Sequence, residues 1–250
     1  MRIKNLLLLS FVCSCVSMLF TSCDLDGLKP LGGTGSIKDV DGNVYDSVVI
    51  GEQVWMTQNL RVTHYKNGDK IPMLTNDDDW ASTKDGAWCN YKNNGSYSKD
   101  YGRLYNQIAV NDVRGLAPEG WRVATYDDWL KLKNFLIKNG YNFDNDTVSN
   151  KIAMSLAGKT NWDIFTGDGY IGNDLAANNK SGFNALPGGG RDYTGYFGGV
   201  KRNGYWWAHA ANNGSGIQAS LAYDKDSLRI RFEPERCGFS VRCIRDTKNY

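Results

Sequence analysis

Short apolar runs separated by turn residues make up most of the chain. Asp41-Gly42-Asn43 has the composition of a turn, and Val44 to Ile50 is rich in β-branched and apolar residues. Gly51-Glu52 interrupts this run, and Gln53 to Met56 resumes it. The pattern predicts an antiparallel meander that opens a sheet.

Further strands are predicted toward the C-terminus, at residues 204–208, 218–223, 228–232 and 239–245. Side chains alternate along a strand, so Phe239, Val241 and Cys243 should share one face. The same alternation predicts that at most one of Trp206 and Trp207 faces inward.

Two helices interrupt the β pattern. Thr125 is a good N-cap with Asp128 three residues later, Trp129, Leu132 and Leu136 follow with helical spacing, and Gly140 provides a stop. A second helix is predicted over residues 148–157, and a shorter helical turn over residues 105–110.

Residues 158–216 combine many Gly, Asn and Asp residues with aromatic residues. A stretch of this kind predicts long ordered loops, which often carry function on a rigid scaffold. No linker, repeat or charge block divides residues 37–246. We therefore predict a single α+β domain over 37–246, with short twisted antiparallel sheets, two main helices and long ordered loops.

The N-terminus has the pattern of an export signal. A basic start, Met1-Arg2-Ile3-Lys4, precedes an apolar stretch that ends in Thr21-Ser22 before Cys23. The alternatives are an ordinary cleaved signal, an anchor helix, or a bacterial lipoprotein signal with lipid on Cys23. The last is favoured, although Phe20 departs from the strict pattern. It makes 1–22 the signal peptide, 23–36 a flexible tether and 247–250 a tail, on an exported outer-membrane lipoprotein facing the periplasm or the cell surface.

Composition excludes several classes of protein. The 250 residues include 8 Trp, 14 Tyr and 9 Phe and carry a formal net charge of +2, which argues against disorder. Removal of residues 1–22 takes away Arg2 and Lys4 and brings the formal charge to zero. A neutral domain is not typical of a nucleic-acid-binding protein, so no nucleic-acid partner is expected.

Catalytic and metal-binding motifs are weak. Residues 167–172 fit G-x-G-x-x-G, but no strand precedes them and no amphipathic helix follows, so we interpret them as a loop. His64 and His209 neighbour no nucleophile motif, and no cluster has zinc spacing. Asp77-Asp78-Asp79 is a calcium site or, preferably, an ordinary acidic loop. No catalytic residue, metal or cofactor is predicted, and an enzyme is the less favoured interpretation.

Three cysteines fall in the domain, Cys89, Cys237 and Cys243. Along one extended strand Cys237 and Cys243 would be about 20 Å apart at about 3.3 Å per residue, so a bridge between them would need a sharp turn. A bridge from Cys89 to a C-terminal cysteine and three free buried thiols both remain open.

Five phrases together resemble a known family: Val49 to Leu60, Tyr101 to Asn106, Ala117 to Thr125 with Trp129, Ser181 to Arg191, and Gly238 to Cys243. In order and spacing they resemble the Fibrobacter succinogenes major paralogous domain family of exported bacterial proteins. The resemblance implies a fold related to C-type lectins, which formylglycine-generating enzymes also use. It implies a disulfide between Cys89 and Cys243 if any bridge forms, and it carries over no catalytic residue.

The favoured function is a lipid-anchored binding or adhesion module of the cell envelope, with a glycan or an envelope protein as partner and the membrane held through the lipid. Aromatic rings beside polar groups suit sugars, and the candidate residues are Trp80, Trp88, Tyr91, Arg191, Asp192, Trp206 and Trp207. The alternative for each ring is core packing. The alternative functions are a structural subunit of a surface assembly and, by fold analogy, an envelope enzyme.

Overall fold

A computed structural model of the chain describes residues 36–209 and 215–246. The predicted signal peptide, Cys23, the greater part of the tether and the tail lie outside these residues. The described part is α+β, as predicted, with more sheet than helix.

Fourteen strands can be placed: β1 (Ile37–Lys38), β2 (Val44–Tyr45), β3 (Ser47–Ile50), β4 (Gln53–Met56), β5 (Trp88–Cys89), β6 (Leu104–Tyr105), β7 (Trp121–Val123), β8 (Gly188–Arg191), β9 (Phe197–Val200), β10 (Asn203–Ala208), β11 (Ser215–Ala222), β12 (Arg229–Pro234), β13 (Ser240–Val241) and β14 (Cys243–Arg245). The helices are α1 (Asp77–Ser82), α2 (Ser98–Tyr101), α3 (Gln107–Asn111), α4 (Tyr126–Lys138) and α5 (Ala153–Leu156). Three short 3-10 turns lie at Tyr91–Asn93, Gly95–Tyr97 and Leu175–Ala177.

The strands form four sheets. The largest has the order β12-β11-β10-β8-β9, and β13 also pairs with β10. A four-stranded sheet has the order β3-β4-β14-β7, and β1-β2 and β5-β6 are two-stranded. Most pairs are antiparallel, as expected, but β10 pairs in parallel with both β8 and β13. In the four-stranded sheet β4, from the N-terminal part of the domain, pairs directly with β14, the last strand.

The helix predicted to begin after Thr125 is confirmed as α4. The Thr125 side chain accepts a hydrogen bond from the Asp128 amide, and the Asp128 carboxylate accepts one from the Thr125 amide, which completes a capping box. Trp129, Leu132 and Leu136 are buried on one face. The helix packs this face against the large sheet and forms the main hydrophobic core.

The prediction of a second main helix over residues 148–157 is wrong about its length. Only Ala153–Leu156 is helical. The Asn142 amide nitrogen donates to the carbonyls of Asp146 and Ser149, and the Asp146 carboxylate accepts from the backbone amides of Val148 and Ser149. These side chains hold the preceding segment as a loop, so the fold has one long helix among four short ones in the described residues.

Trp206 and Trp207 are both fully buried, which corrects the expectation that at most one faces inward. Trp206 lies in the core under α4, where its ring centroid is 6.2 Å from that of Trp129. Trp207 points to the opposite face and packs 4.6 Å from the Phe239 ring in a second core with Tyr105 and Val110. Both faces of β10 are thus covered at this point.

Phe239, Val241 and Cys243 lie together in that second core, as the alternation predicted. The disulfide between Cys89 and Cys243 is not formed. Cys89, Cys237 and Cys243 are free and buried, and Cys89 belongs to a third, smaller core that does not include Cys243. Each thiol is therefore packed as a small apolar group.

The phrases that carry the family resemblance converge inside the domain on Arg242. Its guanidinium donates to the Asn59 side-chain oxygen and to the carbonyls of Met56 and Phe183. The Asn59 amide nitrogen donates to the Tyr101 carbonyl, and the Ala124 amide donates to the Arg242 carbonyl. Arg242 thus connects all five phrases, four of them through its own backbone and side chain and the Tyr101 phrase through Asn59.

Candidate functional site

A groove of about 500 Å³ lies on one face of the six-stranded sheet. Strands β10, β11 and β12 supply its floor, and residues around Asp192, Tyr196 and Cys237 supply one side. Its floor includes polar side chains that are buried, Gln218 and Ser220.

Strand alternation explains the polar floor. In β10 Tyr205 shares a face with Trp207, and register places Ser220 opposite Tyr205 and Gln218 opposite Trp207. In the next pair, register places Arg229 opposite Ser220 and Arg231 opposite Gln218. The intervening residues point to the other face, where Ala219 and Leu221 join the core under α4. A row of polar side chains therefore crosses the sheet.

Gln218 is the most unusual of these residues. Its side chain is 1% exposed, and its Oε1 atom has no hydrogen-bond partner within the described part of the chain. A buried amide oxygen without a partner costs about 1–3 kcal/mol. It lines the groove, so a ligand that donates a hydrogen bond there would remove this cost.

The charges of the groove fall into two groups. Asp224 pairs with Lys225 at 3.1 Å, and the Asp192 carboxylate accepts hydrogen bonds from the amides of Thr194 and Tyr196. Among the ion pairs of residues 36–209 and 215–246, by contrast, no partner lies within 4 Å of Arg229 or Arg231. Both arginines are exposed on edge strand β12.

Aromatic and thiol groups complete the site. The half-buried Tyr205 ring packs 5.0 Å from the Phe239 ring, and the Tyr196 ring is 75% exposed. Burial raises the pKa of Tyr205, while Arg231 lowers it and Glu233 raises it further. Burial also raises the pKa of Cys237 to about 12, with a smaller contribution from Glu233. The thiol is therefore protonated at neutral pH. The groove is lined by polar side chains and by aromatic rings.

The predicted sugar-binding aromatic residues do not line this groove. Trp80, Trp206 and Trp207 are fully buried, and Trp88 and Tyr91 nearly so, so the expectation of exposed rings is wrong for all five. Four of them also donate their indole N–H inward: Trp80 to the Arg236 carbonyl, Trp88 to that of Ile71, Trp206 to Asn59 Oδ1, and Trp207 to the Tyr105 carbonyl. All five aromatic residues pack in the core, which is the alternative that the sequence left open for each ring.

Arg191 and Asp192 do border the groove, but their polar groups serve the fold. The buried Arg191 guanidinium donates to the carbonyls of Leu74 and Gly195 and to the Asp77 carboxylate, and it lies over the Trp80 ring. The acidic run Asp77-Asp78-Asp79 forms the first turn of helix α1, and its first residue is the ion-pair partner of Arg191. In the part of the chain that the structure covers, no cluster of acidic, histidine or cysteine side chains could hold a metal ion.

The residues that sequence reasoning missed are Gln218, Ser220, Arg229 and Arg231. The signal for them is alternation in two successive strands, where Gln218 and Ser220 alternate with Ile217, Ala219 and Leu221, and Arg229 and Arg231 alternate with Ile230 and Phe232. The sequence predicts both strands, and pairing the two brings these four side chains to one face.

Two other clefts are weaker candidates for a site, because charged groups that line them are already hydrogen-bonded within the protein. One is lined by Tyr141, Phe143, Asp174 and Lys180, but Asp174 accepts from the amides of Ala176 and Ala177, and Lys180 donates to the Gly140 carbonyl. The other contains Trp121, Arg122 and His209. Arg122 is held by Asp128, and burial lowers the pKa of His209.

No helix in residues 36–209 or 215–246 has the length and apolar character needed to cross a membrane. No curated protein and no solved structure shows significant similarity to the chain. The sequence profile of the Fibrobacter succinogenes major domain matches residues 48–245, which include all five phrases. The chain therefore belongs to the Fibrobacter succinogenes major domain family.

Proposed function

We propose that the domain is a carbohydrate-binding module of the cell envelope and that the sheet groove holds the sugar. The observation that carries this proposal is the buried Gln218 Oε1, which has no partner in the described chain and lines a groove with a tyrosine ring on its floor. Binding sites combine apolar surface with a few converging polar groups of this kind.

Sugar chemistry fits the composition of the groove. A hydroxyl group donates to an amide or carboxylate oxygen, here Gln218 or Glu233, and accepts from a guanidinium. The apolar C–H face of a sugar ring packs on an aromatic ring, and Tyr205 and Tyr196 provide two of these. A purely apolar ligand would leave Gln218 Oε1 without a partner.

The proposed setting is the outer membrane, with the domain exported and held by lipid on Cys23. The basic start, the apolar stretch and the small residues before Cys23 support this. We also propose a fold related to C-type lectins, supported by the family resemblance and by the mixed α+β architecture with long ordered loops.

A glycan array tests the binding proposal. The full-length chain in a polyoxyethylene detergent, which contains no sugar, should bind at least one class of polysaccharide. Tyr196→Ala should weaken that binding about tenfold, because its exposed ring borders the groove. Tyr126→Ala is the matched control, an exposed tyrosine on α4. An array without signal would remove the proposal.

Labelling with radioactive palmitate tests the anchor. Wild type should incorporate label and partition into the membrane fraction, and Cys23→Ala should do neither. Equal labelling of the two proteins would place the lipid elsewhere.

A further inference from the structure

We infer that the sugar bound in the groove is acidic and that Arg229 and Arg231 hold its carboxylate. This inference rests on the proposed function and adds the chemical class of the ligand. Three features support it. They are the geometry of the arginine pair, the pairing of neighbouring acidic groups with other partners, and the position of Gln218.

The two arginines form one cationic site. They lie at alternate positions of β12 and so project from the same face, with Cα atoms about 6–7 Å apart at about 3.3 Å per residue. Both are exposed and β12 is an edge strand, so a ligand can approach them. A guanidinium presents a planar fork of donors that matches a carboxylate in two parallel hydrogen bonds.

The acidic groups near this pair leave it available. Asp224 is paired with Lys225, and Asp192 is held by the amides and hydroxyl of its own loop. Glu233 lies two residues beyond Arg231 on the same face, and in the described chain it forms no ion pair with either arginine within 4 Å. Like charges side by side disfavour one another, and an anion between them relieves this repulsion.

The position of Gln218 favours a sugar acid over a simple anion as the ligand. Register places it opposite Arg231, so its unpartnered Oε1 lies on the same floor as the guanidinium. A small anion has no donor to offer this oxygen. A sugar acid has both parts: a carboxylate for the arginines and hydroxyl groups for Gln218 and Glu233, with Tyr205 beneath the ring.

Acidic polysaccharides and their neutral esters test the inference. The full-length chain in the same detergent is titrated with polygalacturonate, polymannuronate and hyaluronan, each beside its carboxyl methyl ester. At least one acidic polymer should bind, and its ester should bind at least tenfold more weakly. Raising the salt concentration should weaken binding of the acid more than binding of the ester, because exposed charges are screened.

Three variants locate the effect. Arg229→Gln and Arg231→Gln should each lower the affinity for the acid about tenfold and leave the affinity for the ester unchanged. Lys131→Gln is the control, since it removes one exposed positive charge on α4, away from the groove. Urea midpoints should be equal for all three, because each side chain is exposed.

The outcomes separate this inference from the proposed function. Equal binding of acid and ester, or binding of neutral glycans alone, would overturn the inference and leave carbohydrate binding in place. Unchanged affinity in both arginine variants would also overturn it. Poly-L-glutamate binding as tightly as the best uronate would overturn the inference as well, because it would show that charge alone is recognised. No binding to any polysaccharide would overturn both the inference and the proposed function.

Discussion

Arg242 donates two hydrogen bonds to one oxygen of Asn59, at 3.1 Å from Nε and 2.8 Å from Nη2. The same oxygen accepts a third from the Trp206 indole at 2.8 Å. The arginine is fully buried, and its remaining bonds go to main-chain carbonyls. Burial lowers the pKa of Arg242 to about 9, which still leaves it protonated at neutral pH. Among the described residues no acidic side chain pairs with this buried cation, which is stabilised by amide and carbonyl oxygens and by the Phe183 ring, 4.6 Å away.

Replacing this cation should destabilise the whole domain. Arg242→Met removes the donors for the carbonyls of Met56 and Phe183, so we expect a loss of about 3 kcal/mol in the free energy of unfolding. Arg242→Lys should restore little of it, because an ammonium cannot reproduce the fork. Urea unfolding followed by tryptophan fluorescence measures this. Lys138→Met at the end of α4 is the control, and a loss below about 1 kcal/mol in Arg242→Met would contradict the assignment.

The α4 capping box should make stability depend on pH. Burial alone would raise the pKa of Asp128, but hydrogen bonds from Arg122 and Thr125 outweigh it and hold the pKa below its usual value. A lowered native pKa stabilises the fold above the unfolded value near 4 and loses this effect as pH falls through the native value.

Asp128→Asn should therefore cost about 1–2 kcal/mol at pH 7 and less at pH 3. Urea midpoints at the two pH values measure the difference. Asp127→Asn, which changes an exposed carboxylate in the same helical turn, is the control and should behave like wild type. A cost that is the same at pH 7 and pH 3 would argue against the linkage.

Buried thiols predict low reactivity. Burial raises the pKa of Cys89, Cys237 and Cys243 to about 12 in each case. Iodoacetamide at pH 8 should modify none of the three in the native protein, because the thiolate is the reactive form. In urea without reductant all three should be alkylated, as mass spectrometry of peptides would detect. Alkylation of Cys89 and Cys243 only after reduction would reveal a bridge between them.

The Arg191 guanidinium should determine the order of two loops. It joins Gly195 to the carbonyls of Leu74, Thr75 and Asn76, so Arg191→Lys should cost about 2–3 kcal/mol. Hydrogen exchange should accelerate in residues 74–77 and 192–197. Asp77→Asn is the control, since that side chain is 67% exposed and its ion pair should contribute less than about 1 kcal/mol. Unaltered exchange in Arg191→Lys would contradict this role.

Local signals predicted α4 well, because a cap and a helical stripe lie within 16 residues of one another. They failed over residues 148–157, where side chains of Asn142 and Asp146 compete with the helix for the backbone. The burial of Trp207 depends on Phe239, 32 positions further along the chain. Periodicity within one strand does not contain that information, and it therefore could not show that the rings of Trp80, Trp88, Tyr91, Trp206 and Trp207 are buried.

The groove was within reach of the sequence but required one further step. Gln218 and Ser220 alternate with apolar residues in one predicted strand, and Arg229 and Arg231 do so in the next. Pairing the two strands would have brought these four residues to one face. Aromatic content drew attention to the tryptophans instead, which the fold uses for packing.

The residues that hydrogen-bond Arg242 and the polar residues of the groove are two separate sets. Of the groove residues that have free polar groups, Gln218, Arg229 and Arg231 all lie outside the phrases. A change at Gln218, Arg229 or Arg231 would therefore leave every hydrogen bond of Arg242 in place. Family membership therefore identifies the scaffold that Arg242 holds together, and it does not by itself identify a ligand.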